Sequence, residues 1–253
     1  MTQLDLRAAA LAHSLVVPPP AILQRAVIAT WHGRMIQEHG SSHVFDGLAA
    51  QLAAIGDHTD ADECRAFAAE ERAHGAMCGA VVEAAGGSAV ATIAAPRPVP
   101  AHADTTPRAA VLRNIISVAC LSETVAVALI GAERLEMPDG PLRDLLTRIW
   151  SDEVGHARFG WRYVERVLPE LTADERAAVE RYLPVALAAL ETHELAHLPI
   201  NAHWPEDGAT FGLCDGSDAR ELFYDTVTDV ILPQLEALGL AAAHAWQSTR
   251  SVP

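Results

Sequence analysis

Apolar residues recur at intervals of three and four along nearly the whole chain, while the alternation of half-buried strands is almost absent. The pattern therefore predicts helices throughout and no sheet. After a short leading helix, the periodic segments run over 21–55, 60–86, 107–135, 141–168, 173–198 and 218–247. Asp60 with Glu63, and Thr172 with Glu175, have the spacing of capping boxes, and Thr106-Pro107 reads as an N-cap followed by proline at the first helical position. Gly86-Gly87 and Pro199 mark helix ends.

The connections carry more information than the helices. Those at 56–59 and 137–140 are tight and imply antiparallel hairpins. The connection over 87–106 is long and contains Pro96, Pro98 and Pro100. Extended at about 3.1 Å per residue it reaches on the order of 60 Å, more than a helix of about 27 residues at about 1.5 Å each. Two hairpins joined by a full-length crossover give an all-α fold with the topology of ferritin-like four-helix bundles. The expectation is a single helical domain over 1–253, with its four-helix core at 21–168 and two additional C-terminal helices within 169–253.

At 50% hydrophobic residues the chain can bury a core, and its formal charge of −15 disfavours nucleic-acid and anionic-membrane partners, which require basic patches. No run reads as long enough to span a membrane, and the leading stretch, interrupted by His13 and followed by Pro18-Pro19-Pro20, does not read as a signal peptide. Cys64, Cys78, Cys120 and Cys214 form no CxxC pair, so reduced thiols and a cytoplasmic location are expected.

Candidate chemistry lies on the core segments. Glu71 and His74, and Glu153 and His156, repeat the same i, i+3 spacing, which lets a carboxylate and an imidazole reach a common cation. Glu38 and Glu123 are their upstream partners on the preceding segments. Four carboxylates neutralise two divalent ions, and a mixed oxygen and nitrogen donor set suits iron, with manganese as the alternative. Glu123 is the most telling residue, because it interrupts the apolar run SVACLSETVAVALIGA and a lone buried carboxylate is costly without a partner. A solvated helix face is the simpler account of each Glu-x-x-His pair, but Phe67, Ala68 and Cys78 make the first of those faces apolar.

EHGSSHVF after Trp31, EERAH followed by Cys78, LSET, and DEVGHARFGW together resemble the ferritin-like di-iron carboxylate superfamily, closest to bacterial ferritin-like domain proteins, over about residues 30 to 165. The resemblance implies that Glu38, Glu71, His74, Glu123, Glu153 and His156 ligate two irons. It also implies that Asp152 orients His74 and that Glu70 orients His156. Asp46 is better matched in height to the second segment than Glu38 and stands as its substitute. Trp31, Met35, Phe45, Phe67, Cys78, Ala119, Cys120 and Val127 lie one or two turns from these ligands, and their uncharged, partly small side chains read as the wall of an apolar pocket. Core packing explains the same residues equally well.

A second motif competes. His193-Glu194-Leu195-Ala196-His197 fits HExxH, and His203 sits where one branch of zinc peptidases has a third histidine. By chance alone this pattern is rarer than ExxH. Context reverses the order, because Ile200 stands where that branch needs glycine and no methionine follows Met137 to form its downstream turn. The zinc peptidase reading is therefore disfavoured, and the histidines read as a helix C-terminus. The expected function is a di-iron oxygenase or oxidase that activates O2 and acts on a small organic molecule with an external electron donor. A homodimer is left open. Iron storage, peroxide scavenging and a metal-free helical interaction protein are the alternatives.

Overall fold

The periodic segments are helices in the computed structural model, which describes residues 1–250. In chain order the elements are β1 (Thr2–Asp5), α1 (Arg7–Ala10), α2 (Ala21–Ala54), α3 (His58–Ala84), β2 (Val90–Ile93), α4 (Pro107–Glu136), α5 (Pro141–Val167) and α6 (Ala173–His197). Next comes α7, which joins Gly216–Asp225, Thr226–Ile231 and Leu232–Ala237, and then α8 (Ala242–Arg250). The chain divides into two compact units. The first comprises Met1–Val99, Ala132–Asp152 and Trp204–Cys214, and the second comprises Pro100–Gly131, Glu153–His203 and the residues from Asp215 onward.

In the first unit α2 and α3 form an antiparallel hairpin. Gly56 takes φ +90°, a conformation that glycine adopts without strain, while Gly56 N–H reaches Ala53 O and Asp57 N–H reaches Leu52 O at 3.0 Å. Helix α3 then starts at His58 with Asp57 as N-cap, so no capping box forms at Asp60 and Glu63. Asp60 instead sits in the first turn, where its charge favours the exposed N–H groups.

A two-stranded antiparallel sheet, Thr2 opposite Ile93 through Asp5 opposite Val90, corrects the expectation of an all-helical chain. Four-residue strands are too short to register as a period, and their partners lie far apart in sequence. Beyond β2 the crossover runs beside α2: His32 Nε2 lies 2.9 Å from Val90 O, and Gln51 Nε2 donates to Val99 O at 3.3 Å. Nine extended residues and nineteen helical ones both span about 28 Å. The connection is therefore extended over this stretch.

In the second unit Thr106 caps α4 through Ala109 N–H, with Pro107 at the first helical position, and Thr172 and Glu175 form the reciprocal capping box of α6. The sixth periodic segment is broken rather than continuous. Gly239 at φ +75° ends α7, Leu240 N–H closes onto Leu235 O, and α8 begins at Ala242.

Helix α4 departs from its expected form in two respects. Ile116–Ser122 is π-helical, so that Glu123 N–H bonds to Val118 O, five residues back. The helix also contains an 18-residue stretch with mean hydropathy 2.1, 44% of it buried, which is long and apolar enough to cross a membrane by length and composition. This corrects the reading that no run is long enough: Arg113, Glu123 and Glu133 stand ten residues apart and leave wide apolar intervals.

Helices α4 and α5 pack closely within the second unit, where Trp161 Nε1 donates to Thr124 Oγ1 at 3.0 Å. A Cβ on Gly160 would lie 2.6 Å from the Ala119 carbonyl carbon and 2.7 Å from its Cβ. The small side chain at 119 thus serves helix approach, and a Phe there overpacks the contact. Gly160→Ala should destabilise the protein by about 1–3 kcal/mol, which a thermal melt would read as a fall of about 2–4 °C per kcal/mol. An unchanged melt would show that the backbones can separate freely.

Candidate metal centre

Glu38 on α2 and Glu71 and His74 on α3 converge inside the first unit. Their donor atoms lie within 4.8 Å of one another, and Glu71 and His74 are 2% and 0% exposed. His74 Nε2 lies 3.0 Å from Asp152 Oδ2, while its Nδ1 lies 3.4 Å from Glu38 Oε2 and 3.9 Å from Glu71 Oε2. A neutral His74 that donates Nε2–H to Asp152 directs the lone pair of Nδ1 toward two carboxylates, at separations longer than a good hydrogen bond. Acceptors facing acceptors are stable only with a cation or proton among them. The donor set therefore fits a metal ion, and Asp152 fixes the imidazole as outer partners of metal-binding histidines do.

The second unit contains a matching cluster. Glu123 on α4 and Glu153 and His156 on α5 have donor atoms within 4.8 Å of one another, and all three are buried. His156 Nδ1 lies 3.1 Å from Glu153 Oε2 and 3.9 Å from Glu123 Oε2. Burial, reinforced by the charge of Glu153 and opposed by His156, pushes the Glu123 carboxyl up to about 8. At neutral pH one proton stands where a cation would otherwise neutralise the pair. The π-helical stretch ends at Glu123, a placement frequent at functional sites.

Asp46 takes another path. It pairs with Arg72 at the surface, eight residues and about 80° around α2 from Glu38. Glu70 is half-buried on α3. Among the residues read as a pocket wall, Phe45 and Phe67 pack edge to face at 5.5 Å, and Trp31 Nε1 donates to Phe211 O at 2.8 Å. Met35, Cys78, Ala119 and Cys120 are fully buried and Val127 is half-buried, with burial raising both thiols well above the usual range. An open groove of about 770 Å³ lies elsewhere in the first unit, lined in part by Asp5, Arg7, Leu11 and Glu83, and includes none of the candidate residues.

Arg34 and Glu133 form a buried ion pair that the sequence reading missed. Arg34 Nη2 lies 2.5 Å from Glu133 Oε2, with the side chains 20% and 5% exposed, and the guanidinium stacks 4.7 Å from the Trp31 ring. Burial opposes the charge of Arg34, and Glu133 more than restores it. Arg34 lies one turn from Glu38, and a second carboxylate ten residues after Glu123 in an apolar helix was the available signal.

The HExxH residues are exposed at the end of α6, except for the half-buried Glu194 and Leu195. His203 pairs with Asp215. Among the described residues, neither of the two groups in which three or more donor side chains converge includes His193, His197 or His203. No family model matches the chain, and no curated protein or solved structure matches it significantly.

Proposed function

We propose that the two clusters are halves of one dinuclear iron centre, and that the protein is a non-haem oxidoreductase that activates O2 and acts on a small organic molecule. The observation that carries this reading is the repetition. Each cluster sets a histidine Nδ1 against two carboxylates that are buried or, at Glu38, half-buried, and α5 supplies Asp152 to the first and the next residue, Glu153, to the second. On this reading Glu38 and His74 hold one ion, Glu123 and His156 hold the other, and Glu71 and Glu153 are shared. Four carboxylates balance two divalent charges, and manganese is the alternative ion.

Bound iron would supply the electrons that reduce O2. The chain supplies the rest. Asp152 holds the His74 ring and its proton, Glu70 is assigned the same role toward His156, and the buried side chains of Trp31, Met35 and Cys78 keep water from that side. The resemblance to ferritin-like di-iron proteins selects the reaction class, since neither fold nor donor set does so alone. An external electron donor, O2 and a small-molecule substrate are the partners it requires, and the cytoplasm is the compartment proposed.

Loading the protein anaerobically with Fe(II), admitting O2 and measuring its consumption with and without small organic compounds tests the proposal. Iron uptake should stop at a pair per chain, and a substrate should accelerate O2 consumption and appear as an oxidised product. Continuing uptake of iron as mineral would make this a storage protein. Absence of iron uptake would leave a helical interaction protein.

A further inference from the structure

The exposed end of α6 carries a pair of histidines that the buried clusters do not use. His193 and His197 lie four residues apart on one helix face, with ring centroids 4.5 Å apart. His197 Nδ1 is 2.8 Å from the carbonyl oxygen of His193. A carbonyl only accepts, so Nδ1 bears the proton and the lone pair of His197 is at Nε2. Metal-binding histidines are commonly oriented in this way, with one ring N–H given to a backbone carbonyl and the other nitrogen left for the ion. Partial burial and the neighbouring His197 lower the His193 imidazole from its ordinary value, which keeps its lone pair available near neutrality. An ion about 2.0–2.1 Å from each nitrogen needs those nitrogens roughly 3 Å apart, a separation that rings this close can reach by small rotations.

We propose that His193 and His197 form a two-imidazole site on the exposed face of α6 for a late first-row divalent cation of the copper(II) or zinc(II) class, its remaining positions filled by water. A pair of neutral imidazole nitrogens favours these ions over iron, manganese or magnesium. His203 is engaged by Asp215, while half-buried Glu194, three residues before His197, lies about 100° around the helix from His193, so the two imidazoles are the shared donors of this face. It is thus an open site that exchanges its ion, unlike the closed three-histidine site of a peptidase. The ion would also tie together the last turn of α6, whose carbonyls at Leu195 and Leu198 are capped by Arg220. The inference does not depend on the buried clusters.

Titration of the iron-loaded protein with copper(II), followed by calorimetry and by electron paramagnetic resonance, tests it. One saturable ion per chain is expected, with hyperfine structure from two nitrogens, and a zinc(II) titration should compete for it. His193→Ala and His197→Ala should each weaken binding at least tenfold without changing iron content or the thermal melt, while His203→Ala should leave it intact. Lowering the pH from 7.5 to 5.5 should weaken binding more steeply in wild type, where two imidazoles compete with protons, than in either variant, which keeps one. Equal binding by His197→Ala, loss of binding in His203→Ala, or saturation only at millimolar ion would overturn the proposal, the last marking an adventitious surface contact.

Discussion

Glu123→Gln should yield a protein that has lost metal-dependent stabilisation and yet, without metal, melts higher than wild type at pH 8 and above. The substitution preserves shape and removes only the charge. In wild type that charge is buried, faces Glu153, and has its carboxyl pushed up to about 8. Ionising it without a cation costs on the order of a few kcal/mol, or a melting difference on the order of 5 °C or more in a chain of this size. With metal the order reverses, since an ion at about a hundredfold its dissociation constant contributes about 2.7 kcal/mol to the wild type, and the neutral amide of the variant cannot replace the carboxylate. A carboxylate with a purely structural role gives the opposite result: the variant would be less stable with or without metal. Differential scanning calorimetry of both proteins, with and without Fe(II), distinguishes the two.

The second large effect is the pH dependence of the metal-free protein. The folded-state value of Glu123 is raised from 4.5 to about 8, and burial raises Glu194 from 4.5 to about 7. Between those limits the folded chain binds more protons than the unfolded one, so stability is fully present below pH 4.5 and is lost as pH rises toward 8. His39 and His193, both lowered from 6.5, mainly by desolvation, act in the opposite sense below that value. The difference between wild type and Glu123→Gln isolates the carboxylate. It should widen steadily from pH 5 to pH 8 and then level off. Saturating metal should flatten the wild-type profile above neutrality, because the ion displaces the proton and binding strengthens with pH. A difference that stays constant across this range would mean that Glu123 is ionised throughout, with its charge already compensated.

What could be read from the sequence was local. The i, i+3 spacing of Glu71 with His74 and of Glu153 with His156 fixes both pairs on their helices, and Thr172 with Glu175 forms a capping box because every atom involved is within one turn. What could not be read depended on distant partners or on phase. The strand at Thr2–Asp5 is defined by Val90–Ile93, and the π-helical stretch before Glu123 leaves no mark on an apolar run. Continuity was overread at Gly239, where a left-handed turn ends α7 inside an otherwise helix-favouring sequence. The choice between Glu38 and Asp46 depended on where the turn falls, and with α2 ending at Ala54 and α3 starting at His58 height favours Glu38. A mismatch of about three residues is about 4.5 Å, less than one turn and within a glutamate's reach. Asp46 is mismatched by about five residues in the other direction, about 7.5 Å, and pairs with Arg72 instead. Small residues misled in a similar way, because Ala119 is small to accommodate Gly160.

The measurement that bears most directly on the account is an anaerobic Fe(II) titration of the metal-free protein, followed by Mössbauer spectroscopy of the oxidised product. The account predicts a pair of irons per chain, magnetically coupled through shared carboxylates, with Glu123→Gln and His156→Ala each losing the coupling. Two uncoupled irons, a single iron, or full coupled loading in both variants would contradict it.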